Sequence, residues 1–273
     1  VLFHQRGLKI NVGKVLAIAN QKGGVGKTTT SVNLAASLKI TRKKVLLIDL
    51  DPQGNATMGS GVEKSTLEYT VCDLLTDTAE MADVLQTLDE ADYDILPSNG
   101  DLVAAEVQLM NVENREMKLR SIINSVRDNY DFIVIDCPPS LNMLTINALV
   151  AADGVVIPMQ CEYYALEGLS ALMDTIRAIK DHLNPDLKIE GILRTMYDPR
   201  NKLTTEVNGQ LFSHFGDAVY RTVVPRNVRL AEAPSYGKPI IKYDKKSRGA
   251  IAYLALAGEM LRRHDEAAAA LLG

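Results

Sequence analysis

One run of residues constrains this chain more than any other: Asn20-Gln21-Lys22-Gly23-Gly24-Val25-Gly26-Lys27-Thr28-Thr29-Thr30. An apolar run, Val15–Ala19, precedes it and a helical pattern, Thr29–Lys39, follows it. That is the strand–loop–helix setting of a phosphate-binding loop. Glycines let successive backbone N–H groups turn toward one anion, and the first turn of the new helix adds its positive end. On this reading Gly23, Gly24, Val25, Gly26, Lys27, Thr28 and Thr29 cradle nucleotide phosphates. Lys27 stands against the β- and γ-phosphates, and the Thr28 hydroxyl ligates Mg²⁺. The loop departs from the ordinary pattern twice: Gln21 occupies the place of the first glycine, and a second lysine, Lys22, directly precedes Gly23.

A chain of 273 residues, 47% hydrophobic, can bury one sizeable α/β core rather than two independent ones. Cys72, Cys137 and Cys161 have neither disulfide-framework nor metal-cluster spacing, and read as small core residues in a reducing compartment. His4, His182, His214 and His264 are scattered, with no ligand pattern. No apolar run approaches the ~20 residues that cross a bilayer, and the first residues lack a secretory core, so the expected location is cytoplasmic. Residues 1–14 show no periodicity and read as a native extension or a remnant of cloning. They are too short for a helix-turn-helix domain, which argues against sequence-specific operator binding. Residues 15–263 read as one P-loop nucleotide-binding domain and 264–273 as a tail.

Apolar strand-like runs alternate with helical patterns. Lys44–Asp49, Asp94–Leu96, Phe132–Asp136, Gly154–Pro158, Lys188–Arg194 and Tyr220–Val224 read as strands. Asp101–Asn111, Glu113–Asp128, Ala165–His182, Lys202–Phe215 and Arg248–Arg263 read as helices. The expected fold is a single-domain α/β P-loop architecture, a mostly parallel twisted sheet covered by helices on both faces. Ligands in such sheets gather at the carboxyl ends of the strands.

Two acidic strand ends are therefore informative. Asp49-Leu50-Asp51-Pro52-Gln53-Gly54-Asn55 closes one strand, and either carboxylate could orient a water or hold the Mg²⁺ shell; turn chemistry alone would also explain the run. Phe132-Ile133-Val134-Ile135-Asp136 is a Walker B pattern, in which Asp136 reaches Mg²⁺ through water. Pro138-Pro139-Ser140 follows it as a stiff element able to couple the γ-phosphate to a subunit surface.

Charge is unevenly spread. Residues 63–131 hold sixteen acidic residues against five basic, whereas residues 194–263 hold thirteen basic against six acidic, in a chain whose net charge is −4. Arg194, Arg200, Arg221, Arg226, Arg229, Lys242, Lys245, Lys246 and Arg248 are the candidates for a patch that binds phosphate backbones without reading sequence.

The run Lys22 to Thr29 closely resembles the deviant Walker motif of the ParA/MinD group of ATPases. Leu230-Ala231-Glu232-Ala233-Pro234-Ser235-Tyr236-Gly237-Lys238-Pro239 resembles its ParA (Soj-like) partitioning branch, and the likeness spans residues 15–263. It implies ATP and Mg²⁺ as cofactors and an ATP-dependent homodimer in which Lys22 reaches the partner's phosphates. It makes Asp51 the residue that positions the hydrolytic water and a contributor to the metal shell, and Asp136 a metal ligand through water. It places Met196, Pro225 and Asn227 around the adenine, Asn227 offering its edge both a donor and an acceptor. It also implies slow ATP hydrolysis, nonspecific binding to double-stranded DNA, a ParB-type centromere-binding partner that accelerates hydrolysis, and a nucleoid-associated location without a membrane partner. The alternative is a MinD-like membrane-associated ATPase that positions other complexes, but His264-Asp265-Glu266 followed by small residues makes a poor membrane helix. A nitrogenase-iron-protein-like reductase would need cluster cysteines that Cys137 and Cys161 match poorly, and a metabolic ligase would need a further substrate pocket.

Overall fold

Strands apolar on both faces dictate the architecture. The computed structural model describes residues 13–89 and 91–272, so His4 and most of the 1–14 extension lie outside the described residues. The strands are β1 (Lys14–Ile18), β2 (Val45–Asp49), β3 (Gln86–Leu88), β4 (Tyr93–Leu96), β5 (Phe132–Asp136), β6 (Gly154–Gln160), β7 (Lys188–Tyr197) and β8 (Val219–Pro225). They form one sheet in the order β3-β4-β2-β5-β1-β6-β7-β8. Every pairing is parallel except β3 with β4.

Side chains alternate between the two faces along each strand. On β1, Val15 and Ala17 enter one core layer while Leu16 and Ile18 enter the other. The first layer is roofed by the helices α2 (Leu102–Leu109), α3 (Lys118–Val126), α4 (Met143–Ala151), α5 (Ala165–His182) and α6 (Lys202–Phe215). The second is closed by α1 (Lys27–Ile40) and α7 (Arg248–Leu272), through Leu34 and Leu38 against Tyr253, Leu256 and Met260. Each such fully buried side chain contributes about 1.5–3 kcal/mol. Cys72, Cys137 and Cys161 are buried, unpaired thiols of these layers.

Register brings the motifs together. Asp49 pairs across the sheet with Asp136, and Asp136 in turn with Ile18, the last residue of β1. The phosphate loop and both acidic strand ends therefore share one edge of the sheet.

Several boundaries differ from the sequence reading. β6 and β7 run on to Gln160 and Tyr197, α1 begins at Lys27, and the stretch 113–128 breaks into α3 flanked by two single turns, Arg115–Met117 and Arg127–Asn129. α4 was not legible because seven of its nine residues are buried, so it has no polar stripe to give a helical period. The three-residue edge strand β3 is too short to carry a strand pattern. α7 continues through His264, whose ring stacks on Phe132, so no break in secondary structure follows Arg263.

Candidate nucleotide and magnesium site

The loop between β1 and α1 is fastened at its centre. Val25 is buried, and its carbonyl accepts a hydrogen bond from Thr195 Oγ1 on β7 (2.7 Å). Gly26 precedes α1 with φ 87°, a left-handed conformation that strains any side chain. Lys27, the first residue of α1, is 7% exposed. Burial lowers its pKa, opposed by the charge of Asp136. Its Nζ donates to the Lys22 carbonyl (3.2 Å), closing across the loop.

The three carboxylates beneath it are in different states. Asp49 is fully buried; Oδ2 accepts from Thr57 N (2.8 Å) and Thr57 Oγ1 (2.7 Å), and Oδ1 from Asp51 N (3.2 Å). Asp51 Oδ1 accepts from Gln53 N (2.9 Å), and Asp51 lines a 560 Å³ cavity together with Gly24, Lys27, Thr28 and Pro139. Of the two aspartates in this segment, Asp49 braces the turn and Asp51 faces the cavity. Asp136 is fully buried, and its Oδ1 accepts from Ser31 Oγ (2.7 Å). Burial raises the pKa of both Asp136 and Asp49 above the usual carboxylate range; the charge of Asp49 pushes Asp136 further up, whereas the hydrogen bonds from Thr57 hold back the rise at Asp49.

A second cavity, of 320 Å³, lies between Gly26 and Thr29 on one side and Pro225, Asn227 and Tyr253 on the other. Gly26, Thr29 and Met196 line both cavities, so the two form adjoining compartments around the start of α1. Met196 sits at the end of β7 with a left-handed φ of 47°, its sulfur against the Gln160 amide. Asn227 lines the second cavity, and its Oδ1 also caps the helix Val228–Glu232 by accepting from Leu230 N (3.2 Å), which occupies one of the oxygen's two lone pairs.

Magnesium fits this donor set. Among the described residues no hydrogen-bond donor engages the buried Asp136 Oδ2, an acceptor suited to a coordinated water. Among the described residues no group of three or more His, Cys, Asp or Glu side chains could hold a metal. An ion here would therefore rest on Thr28, water and nucleotide phosphates, as Mg²⁺ ordinarily does.

Lys22 does not join the residues around the cavity. Its Nζ forms an ion pair with Glu162 Oε2 (2.6 Å) just beyond β6. The basic candidates also divide. Arg200, Arg221, Arg226, Arg229, Lys242, Lys245, Lys246 and Arg248 are exposed, with Arg200 paired to Asp198 and Arg229 to Glu232. Arg194 is not available to DNA: it is 5% exposed, its guanidinium donates to the carbonyls of Tyr220 (2.6 Å) and Arg221 (3.0 Å), and it stacks over Phe212.

Sequence reasoning missed Ser31, Thr195 and Glu162. Ser31 stands four residues after Lys27, one helical turn on, and Glu162 follows a strand end on the ligand edge, so both positions carried a signal.

A parallel sheet with a phosphate loop after its central strand and aspartates at the neighbouring strand ends defines a P-loop NTPase, here with a second loop lysine. Residues 13–189 match the family model described as an AAA domain. The chain is 55% identical to the sporulation initiation inhibitor protein Soj of Bacillus subtilis over 249 residues, which cover 91% of this chain and 98% of that protein. It is 50% identical to the chromosome partitioning protein ParA of Myxococcus xanthus over 252 residues, covering 92% and 89% respectively. Among solved structures it is similar to cobyrinic acid a,c-diamide synthase from Mycobacterium smegmatis with bound ADP and magnesium, at TM-score 0.82 and 36% identity, covering 93% of this chain and 96% of that one. The chain belongs to the ParA/Soj family of partitioning ATPases.

Proposed function

We propose that this chain is a DNA-partitioning switch in which ATP binding assembles a homodimer, the dimer holds duplex DNA without regard to sequence, and hydrolysis ends the state. The observation that carries this reading is the separation of the two loop lysines: Lys27 lines the phosphate cavity, and Lys22, five residues earlier, lies outside it on Glu162.

The residues support a division of labour. The N–H groups from Gly23 to Thr28 bind the phosphates, Lys27 neutralises them within its own subunit, and Thr28, with Asp136 through water, would hold Mg²⁺. Bound Mg²⁺ would withdraw charge from the β- and γ-phosphates. Asp51 orients the attacking water. The base lies in the smaller cavity between Met196 and Pro225, with the Asn227 NH₂ as a donor to its edge. Lys22 crosses to the γ-phosphate of a second copy, so that two ATP molecules are sandwiched between subunits. Hydrolysis is slow until a ParB-type centromere-bound partner accelerates it.

The membrane-associated alternative requires a basic amphipathic helix, whereas α7 carries Asp265 and Glu266 toward its end. Light scattering on two variants tests the proposal. Lys27→Ala should lose nucleotide binding, whereas Lys22→Ala should keep it and fail to dimerise with ATP. ATP-dependent dimerisation of Lys22→Ala at the wild-type level would contradict the crossed lysine.

A further inference from the structure

We propose that Glu162 is the resting seat of Lys22, an ion pair within one subunit that keeps the lysine from a partner until ATP-driven pairing draws it away. This rests on the reading that Lys22 acts across the dimer, and it assigns to Glu162 a positioning role that the sequence motifs do not contain.

The backbone on both sides of the pair is fixed. Asn20 Nδ2 donates to the Pro158 carbonyl (2.8 Å), Asn20 Oδ1 accepts from Lys22 N (2.9 Å), and Val25 is tied to Thr195. Glu162 sits in a tight turn: its N–H donates to the Gln160 carbonyl (2.9 Å), and its own carbonyl accepts from Ala165 N at the start of α5 (3.0 Å). With both backbones held, the flexible part is the four-carbon stem of Lys22, which reaches Glu162 Oε2 at 2.6 Å.

The pair is built to break. The two side chains are 40% and 47% exposed, so water and salt screen them and the bond is weak. A triphosphate carries several negative charges against the one on Glu162, so a partner's ATP outcompetes the seat while weaker anions do not. Tyr163 and Tyr164, next in the chain, are among the most exposed aromatics of the described residues and pack edge to face (4.9 Å between ring centroids). Exposed tyrosines beside a releasable lysine suit a surface that a second copy covers. Each dimer would break two such pairs, so Glu162 sets the concentration at which ATP assembles it.

Glu162→Gln keeps the size of the side chain and removes its charge. In saturating ATP and Mg²⁺, sedimentation should show a dimer dissociation constant lower than wild type by roughly 2- to 30-fold, the combined effect of two half-exposed ion pairs. The gap between variant and wild type should narrow as salt rises, because screening has already loosened the pair in the wild type. Affinity for ADP, measured on the monomer, should be unchanged, and Lys22→Ala/Glu162→Gln should dimerise no better than Lys22→Ala alone. Glu162→Ala, on a half-exposed site, should repeat the direction. If the wild type dimerises with ATP and Glu162→Gln dimerises equally or less well, the seat is wrong and Glu162 belongs to another contact. If the wild type itself stays monomeric with ATP, it is the crossed-lysine reading that fails.

Discussion

Ser31 Oγ donates to Asp136 Oδ1 at 2.7 Å, and among the described residues no hydrogen-bond donor engages the other oxygen of this buried carboxylate. The half-satisfied carboxylate stands in register beside buried Asp49 on the adjacent strand. Two carboxylates this close, both out of water, release their protons late, the pair titrating between about 6 and about 8. In that range the folded protein keeps protons that the unfolded chain has already lost. Stability without ligand is therefore expected to fall as pH rises from 6 to 8. Calorimetry of wild type and Asp136→Asn should show the fall flattened in the variant. The stabilisation given by Mg²⁺ with ADP should be larger at pH 8 than at pH 6 in the wild type, since the cation restores balance to a charged site. A wild-type melting temperature that climbs over this range, beyond the climb of Asp136→Asn, would contradict the assignment.

Asp51 is engaged by one backbone N–H and otherwise faces the cavity, so its carboxylate is free to hold a water. Removing it should slow turnover without removing the groups that bind ATP. Asp51→Ala is expected to reduce hydrolysis by a factor of ~10² or more, the usual scale for a lost general base, and to accumulate an ATP-bound dimer that persists on DNA even with the partner present. Single-turnover hydrolysis beside light scattering decides this. Normal turnover, or failure to dimerise, would remove Asp51 from the role.

The buried Arg194 and the exposed lysines should respond differently to substitution. Arg194→Ala removes charged hydrogen bonds to two backbone carbonyls and should destabilise the fold by roughly 2–3 kcal/mol. At temperatures where it remains folded, the salt dependence of its DNA binding should be unchanged. Lys245→Ala/Lys246→Ala should leave the melting temperature near wild type and reduce the slope of log K against log salt by up to about 2, near 0.9 for each phosphate that is no longer neutralised. Fluorescence anisotropy across salt concentrations, with thermal melts, separates the two. A preference of ~10³ or more for one DNA sequence would place the protein among specific binders instead.

The strand–loop–helix unit was legible because its motif joins local turn chemistry to hydrophobic period, and both describe the same few residues. Asp136 was legible for a related reason: a carboxylate at the end of an apolar run lies on the ligand edge of any parallel sheet. Asp51 was singled out through the family resemblance. Asp49 was not separable from Asp51, because only the fold brings Thr57 back to engage it. Arg194 looked like surface charge in a basic stretch, and its burial depends on long-range packing between β7, β8 and α6. The Asn227 cap needed the following helical turn, five residues too short to carry a sequence period.

The central claim is that ATP, through a dimer, governs DNA binding. The most direct measurement is affinity for a duplex of arbitrary sequence with ATP, with ADP and with no nucleotide, each in Mg²⁺ and at one fixed salt concentration. We expect tight binding only with ATP, its loss in Lys22→Ala, and matching affinities for unrelated duplexes. Equal affinity in all three nucleotide states, or undiminished ATP-dependent binding by Lys22→Ala, would contradict it.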